Sequence, residues 1–360
     1  MANIRRLDIL RVRNLREVQI RPADSVNIIH GKNGSGKTSL LEAIHMLGLG
    51  RSFRSAKLEP VIDIDASDCV IFSELEEGIT IGLNRTRRDG QTLKLMGERQ
   101  RSWVETARYL PLQIINSDSF SLLEGSPKVR RRFLDWGVFH VEHEFSLAWR
   151  KASKCLSQRN LLLKQRRLDV EQLQAWDREL AQQGQYIDEY RKRYVALFLP
   201  VLERVLPNLI ELSDLRIRYD RGWDDSLSLT DALLQQRERD QRYGATQSGP
   251  HRADLQIRIG RNNAHEVLSR GQQKLLVSAM KIAQSQLLHR VSGNKSVYLI
   301  DDLPSELDME NRRRICRLLE ELDCQIFITC VDAEELENCW STELSLGKFH
   351  VEHGKITPLC

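Results

Sequence analysis

Apolar positions fall into three rhythms along the chain, and each predicts a different kind of element. In the opening forty residues apolar runs alternate with charge until Val26-Asn27-Ile28-Ile29-His30, a brief continuous apolar run that precedes an amphipathic stretch at 38–47. That order predicts strands, then a loop, then a helix. Between Asp68 and Met96 the runs shorten to 69–75, 79–83 and 92–96, punctuated by Gly78 and by Asp89-Gly90. Glycine and Asp-Gly are turn formers, so this segment predicts an antiparallel sheet at the edge of the first layer.

After Pro127 the chain becomes highly charged and nearly free of proline and glycine as far as about Leu199. Phe145, Trp149, Ala152, Leu156 and Leu163 recur at intervals of three, four or seven residues, and Leu173, Trp176, Leu180 and Ile187 repeat the pattern. A 3.6-residue period of this kind predicts two helices paired as a hairpin. Sustained heptads are missing, so the hairpin is not an extended coiled-coil arm. Beyond Pro200 come more helix, an alternating stretch at 255–259, a helix from about Gln272, and buried strands at Val297–Ile300 and 325–329. Strand and helix alternate at both ends of the chain, which predicts one α/β domain split by a helical insertion, with boundaries at 1–120, 121–243 and 244–360.

Composition narrows this only a little. A chain of 360 residues can bury a sizeable core and suggests about two domains, while 29% charged and 41% hydrophobic residues are ordinary for a globular protein. A net charge of +4 points only weakly to an anionic partner. The first twenty residues carry charge every few positions, and no apolar run approaches the roughly 18 residues a membrane span needs, so the expected location is the cytosol. Seven cysteines (Cys69, Cys155, Cys316, Cys324, Cys330, Cys339 and Cys360) form no CxxC pair, which fits reduced thiols better than disulfides or a zinc site.

The chemistry begins at Gly31-Lys32-Asn33-Gly34-Ser35-Gly36-Lys37-Thr38, a full match to the phosphate-loop pattern G-x-x-x-x-G-K-[ST] in its required place between strand and helix. Glycines let backbone N–H groups converge on phosphate oxygens, and the helix N-terminus adds a favourable dipole. Lys37 is suited to the β- and γ-phosphates and Thr38 to Mg²⁺. The loop alone leaves ATP and GTP open. Val297-Tyr298-Leu299-Ile300-Asp301-Asp302 is an apolar run ending in two carboxylates: Asp301 is suited to holding Mg²⁺, directly or through water, and Asp302 to orienting or deprotonating the attacking water. Upstream, Leu268-Ser269-Arg270-Gly271-Gln272-Gln273-Lys274 resembles the ABC-ATPase signature LSGGQ, with Arg270 in place of a glycine. Standing alone, it would equally suit a serine helix cap. Ser305-Glu306-Leu307-Asp308 resembles the D-loop of the same superfamily.

From Thr38 to Leu268 there are 230 residues, too many for a transporter ATP-binding subunit and too few for the long coiled coils of SMC and Rad50 proteins. The chain resembles the RecF family over nearly its whole length. That resemblance is carried by Arg13-Asn14, Gly50-Arg51-Ser52-Phe53-Arg54, Gly125-Ser126-Pro127, Arg130-Arg131-Arg132-Phe133-Leu134-Asp135-Trp136, Gly249-Pro250-His251-Arg252-Ala253-Asp254, the LSRGQ run, Asp301-Asp302 and SELD. It implies an ABC/SMC/Rad50-like P-loop ATPase head with an antiparallel β edge and an inserted helical domain with short arms. It implies ATP and Mg²⁺ as ligands, a nucleotide site made of residues 31–39 (Ser39 included) with Arg13 and Asn14, and closure by Ser269, Gly271 and Gln272 of a second copy. A slow DNA-stimulated ATPase is implied, one that dimerises on ATP and clamps DNA at gaps, single-strand junctions or stalled forks. RecR- and RecO-like partners and the loading of a RecA-like recombinase are implied with it.

The sequence departs from the family pattern at three points. Ser117-Asp118 stands where a Pro-Glu or Pro-Asp pair is common, leaving Gln113 as the nearest glutamine for a Q-loop contact. Pro304 replaces a small residue, and Thr329-Cys330 stands where transporters carry a switch histidine, which implies slow hydrolysis. Basic clusters at 85–88, 128–132, 164–167 and 191–193 are candidate phosphate contacts, with Arg87, Arg88, Lys128, Arg130, Arg166 and Arg167 foremost, although 130–132 equally suit internal ion pairs. His251 suits either nucleotide or a turn. Two other classes remain in view: the energy subunit of a membrane transporter, opposed by the long insertion, and a nucleotide-gated scaffold without useful turnover.

Overall fold

Continuous apolar runs become the buried strands of one sheet. Val26–His30 lies between Ile326–Cys330 and Leu346–Glu352; beyond Ile326–Cys330 come Val297–Ile300 and Leu112–Ile115, all parallel, while Lys355–Leu359 closes the other edge antiparallel. Strands buried on both faces need no alternation, which is why they read as unbroken apolar runs. The computed structural model describes residues 3–55, 59–88, 90–341 and 343–359. It divides into two units, Met1–Ser119 with Lys274–Cys360, and Phe120–Gln273.

Within the first unit a second, wholly antiparallel sheet runs in the order Leu15–Ile20, Ile4–Val12, Asp68–Leu75, Thr80–Thr86, Gly90–Leu95, Glu98–Gln100. Alternate residues of Asp68–Leu75 face inward, as the period-2 pattern requires. The helix Lys37–Leu49 joins one core with both sheets: Leu40, Leu41, Ile44 and Leu47 cluster with Ile9 and Ile71 on one side and Ile29, Leu299 and Phe327 on the other. The sequence suggested an amphipathic helix here. It is instead buried on nearly every face, because it is covered from two sides. Gln325 ties the sheets together: its Oε1 accepts from Ile4 N at 2.8 Å, and its Nε2 donates to Ile4 O at 3.0 Å and Ala23 O at 2.9 Å. Asp89 of the proposed turn and Cys360 lie outside the described residues; the other six cysteines are free and buried.

The second unit contains the expected hairpin, Phe145–Leu163 and Val170–Val205, joined by a short turn in which Asp169 caps the second helix at Gln172 N. At 36 residues, Val170–Val205 is about 54 Å long. It runs through Pro200; Pro200 and Ala196 are both exposed, so the carbonyl that the missing amide leaves open is accessible to solvent. Arg159 and Arg191 sit on the buried faces. Arg159 donates to Asp177 at 2.6 Å, Asp240 at 2.7 Å and Thr246 at 2.9 Å, and Arg191 grips Asp135 at 2.8 and 3.0 Å and Pro250 O at 2.8 Å.

The insertion also extends further than 121–243. Residues 244–273 belong to the second unit because Asp254–Ile259 pairs antiparallel with Leu215–Asp220, and Arg130 forks onto Asp254 at 2.7 and 2.9 Å. A long-range strand pairing of this kind leaves no local signal in the sequence.

Candidate nucleotide site

Parallel sheets expose their ligand sites beyond the carboxyl ends of the strands. Here the loop after His30, Asp301 after Ile300, Thr329 near the end of Ile326–Cys330 and Ser117 just past Ile115 all line one cleft of about 1590 Å³ in the first unit. Its volume exceeds the roughly 300–1,000 Å³ of ordinary small-ligand clefts, so a nucleoside triphosphate fits.

The phosphate loop takes its shape from glycines that no other residue could replace. Gly31 has φ 148°, and a Cβ there would lie 2.3 Å from Val351 O; Gly36 has φ 124° and would strike Leu15 and Asn14. Asn14 clamps the loop from outside, its Nδ2 donating to Ser35 O at 2.9 Å and Gly34 O at 3.3 Å while its Oδ1 accepts from Ser39 Oγ at 3.1 Å. Lys32, Asn33 and Gly34 are exposed at the crest. Lys37 is buried, its Nζ donating to Gly31 O at 2.6 Å and Lys32 O at 3.1 Å. Burial lowers its pKa, against the opposing pull of Asp302 and Asp301.

Asp301 is the junction of the site. Its Oδ1 accepts from Thr38 Oγ1 at 2.9 Å and from Thr329 Oγ1 at 2.8 Å, and Thr329 Oγ1 in turn accepts from Asp302 N at 2.8 Å. A hydroxyl beside a carboxylate is a hard-oxygen donor set, so Thr38 and Asp301 fit Mg²⁺. Asp302 holds a left-handed conformation, φ 55° and ψ 50°, uncommon for a residue with a side chain and a mark of functional strain. Its Oδ2 accepts from Ser305 Oγ of the SELD turn at 2.7 Å. Lys274 pairs with Glu306 of that turn at 2.6 Å, and Asp308 caps Met309–Glu320.

The signature serine caps a helix. Ser269 Oγ accepts from Gln272 N at 3.3 Å, and Gln272 Oε1 accepts from Ser269 N at 2.9 Å, a reciprocal box at the start of the 23-residue helix Arg270–Ser292. Ser269, Arg270, Gly271 and Gln272 are all exposed, with Arg270 paired to Glu124. Gln113 lies away from the cleft, buried against Gln284 at 3.2 Å, whereas Ser117 lines it. His251 serves a turn: its Nε2 meets Thr246 O at 3.0 Å, and burial holds its pKa down to about 4.

The basic clusters separate by side chain. Arg85 is buried against Gly50 O; Arg87 lines the cleft with its guanidinium on Ala66 O and Asp63 O; Arg130 is committed to Asp254; Arg193 is paired with Glu142 and Lys192 with Asp188. Arg88, Lys128, Arg166 and Arg167 are exposed. Two residues of the site escaped the sequence reading. Thr329 was weighed only as a missing histidine, and Glu42, fully buried, grips Arg13 at 2.9 and 2.8 Å. A lone acid amid Leu40, Leu41, Ala43 and Ile44 was the available signal.

Comparison with known proteins agrees with this geometry. Residues 3–357 match the family model for the RecF/RecN/SMC N terminal domain. The DNA replication and repair protein RecF of Pseudomonas entomophila strain L48 is 52% identical over 99% of this chain and 98% of its own. A solved structure of the recombination mediator protein RecF with ATP, of the RecFOR pathway, is 25% identical with a TM-score of 0.86, covering 99% of this chain and 98% of that one. An Smc head domain from Pyrococcus furiosus, 15% identical with a TM-score of 0.57 over 100% of this chain and 96% of that one, shares the fold. With the phosphate loop, the Asp301 junction and a short helical insertion in place of long arms, the chain belongs to the RecF family of DNA replication and repair proteins within the wider RecF/RecN/SMC group.

Proposed function

We propose that this chain is an ATP-driven DNA clamp of recombinational repair, monomeric without nucleotide and dimeric with it. The observation that carries the reading is a half-site. The head assembles Lys37, Thr38, Asp301, Asp302 and Thr329 around one cleft, while Ser269 to Gln272 stand exposed at a long helix N-terminus, free to meet a phosphate on another molecule. The ATP-bound relative supports ATP as the nucleotide.

On binding, Lys37 leaves the carbonyls of Gly31 and Lys32 for the β- and γ-phosphate oxygens, and the amides of the loop take the remaining charge. Thr38 and Asp301 would hold Mg²⁺, which would supply Lewis-acid neutralisation of phosphate charge there. As the water oxygen bonds to the γ-phosphorus and the bond from that phosphorus to the ADP oxygen breaks, Asp302 accepts the water's proton, leaving ADP and inorganic phosphate. Ser305, bonded to Asp302, makes the SELD turn sensitive to that protonation. With a threonine and no histidine beside Asp301, turnover is slow. Closure of two heads traps duplex DNA or a gapped or single-strand junction, DNA stimulates hydrolysis, and release follows it. RecO- and RecR-like proteins are the partners of this cytoplasmic step, by likeness to the relative of the RecFOR pathway, and we infer the loading of a RecA-like recombinase as its outcome.

Sedimentation with and without ATP tests the scheme. A monomer that persists at micromolar protein and saturating ATP would sink it. Lys37→Met should weaken nucleotide binding, whereas Ser269→Arg should bind ATP and stay monomeric; a Ser269→Arg dimer would end the role of the signature between subunits.

A further inference from the structure

The helix Lys37–Leu49 places a carboxylate where its neighbours are aliphatic. Glu42 is fully buried, and its carboxylate takes three hydrogen bonds with a second guanidinium close by. Oε2 accepts from Arg13 Nε at 2.9 Å and lies 3.6 Å from Arg54 Nη1; Oε1 accepts from Arg13 Nη2 at 2.8 Å and from the Ser52 hydroxyl. Ser52 Oγ accepts in turn from Arg54 N and Ser55 N, both at 2.9 Å, so the carboxylate shapes the whole turn that carries Arg54. His45 Nδ1 meets Arg51 O at 2.7 Å and anchors the same loop to the same helix.

A staple alone would not need a charge. His45 already fastens the loop, and an aliphatic residue at 42 would fill the space without the cost of taking a carboxylate out of water. What the charge adds is hold on two guanidiniums that both line the nucleotide cleft. They are held differently. Arg13 is gripped by a bidentate fork, its backbone in the left-handed region at φ 56°, and the next residue is Asn14, the clamp of the phosphate loop. Arg54 is 45% exposed and only loosely paired. The cluster of one carboxylate and two guanidiniums keeps a net positive charge, and the excess falls on the more exposed, less tightly paired member.

We propose that Glu42 is a positioning residue of the nucleotide site: it fixes Arg13, and through it the Asn14 clamp, while holding Arg54 ready to exchange the carboxylate for a phosphate oxygen. This rests on the nucleotide reading given above. The test is a titration of the full-length protein with ATP and with adenosine, on the wild type, Glu42→Gln, Arg13→Ala/Arg54→Ala and the triple variant. Glu42→Gln should weaken ATP about 10-fold, the worth of one charge-assisted contact, and leave adenosine unchanged. In the background lacking both arginines, Glu42→Gln should have no further effect, because the residue acts through them. ATP affinity within twofold of wild type, equal losses for ATP and adenosine, or full additivity in the triple variant would each overturn the proposal. Should Glu42→Gln not fold, the half-exposed Arg54→Ala decides alone: it should weaken ATP about 10-fold, and wild-type affinity would refute the exchange. A wild-type chain that binds no ATP would instead overturn the nucleotide reading itself.

Discussion

Replacing Asn14 by alanine tests how far the phosphate loop depends on its outer clamp. The side chain supplies three hydrogen bonds, at 2.9 Å to Ser35 O, 3.1 Å from Ser39 Oγ and 3.3 Å to Gly34 O. Asn14 is exposed, so water replaces part of what is lost, and each neutral bond is worth about 0.5–1 kcal/mol net, the longest least. The sum is about 2 kcal/mol, and if all of it appears as lost order of the empty loop, ATP affinity falls about 30-fold. A fluorescent ATP analogue titrated into Asn14→Ala measures the binding share, and a urea melt measures the share that appears as stability. Asn14→Asp sharpens the result: it keeps an acceptor for Ser39 but turns a carboxylate towards two backbone carbonyls, so it should bind ATP no better than the alanine variant. If Asn14→Ala binds ATP within threefold of wild type and melts unchanged, the loop is rigid by its glycines alone.

Other perturbations follow from the buried charges and the exposed ones. Arg159→Leu should destabilise the protein by about 3–5 kcal/mol in urea, because Asp177 and Asp240 stay buried without their shared partner; a loss under 1 kcal/mol would contradict this. Burial holds the pKa of both His45 and His251 down to about 4, below the ordinary 6.5. Stability is therefore full above pH 6.5 and lost as pH falls towards 4, where the unfolded chain binds protons that the folded one refuses. Each should contribute a loss of about 2 kcal/mol at pH 5, and a thermal midpoint equal at pH 7 and pH 5 would contradict this. Arg166→Ala/Arg167→Ala should lower the slope of log affinity for duplex DNA against log salt by about 2, and an unchanged slope would remove that turn from the DNA contact.

The part of the fold and site that was legible in the sequence is the part specified locally. Val26–His30 and Val297–Ile300 were readable because strands buried on both faces are mostly apolar without alternation, Asn27 being the buried exception, and the phosphate loop because its positive-φ glycines and its Lys-Thr pair fall within eight residues. The hairpin was readable from its period. Three things were not. The strand Leu215–Asp220 joins Asp254–Ile259 across more than thirty residues, so the insertion was cut short at 243. Gln113 is only the nearest glutamine for a Q-loop contact in the sequence, and spacing cannot show that its side chain bonds Gln284, 171 positions away. Thr329 was read for the histidine it is not, and its hydrogen bond to Asp301 emerges only when two strands lie side by side.

Charge was the least legible signal of all, for one physical reason. An arginine in a sequence looks solvated, yet its guanidinium can be buried wherever carboxylates and carbonyls supply enough acceptors in the right plane. Arg159 meets two aspartates, Arg191 an aspartate and a carbonyl, Arg130 an aspartate and Gly125 O, and Arg13 a glutamate, and in no case is the acceptor a neighbour in the basic run. Counting basic runs therefore overstates the surface available to a polyanion, because each paired guanidinium is taken from solvent together with at least one carboxylate. On the proposed clamp reading, the potential offered to DNA would be set by those left exposed, Arg88, Lys128, Arg166 and Arg167 among them, and not by the net charge of +4. Neutralising a half-buried, paired member such as Arg130 should then alter folding stability and leave the salt dependence of DNA binding where it was, whereas neutralising an exposed one should do the reverse.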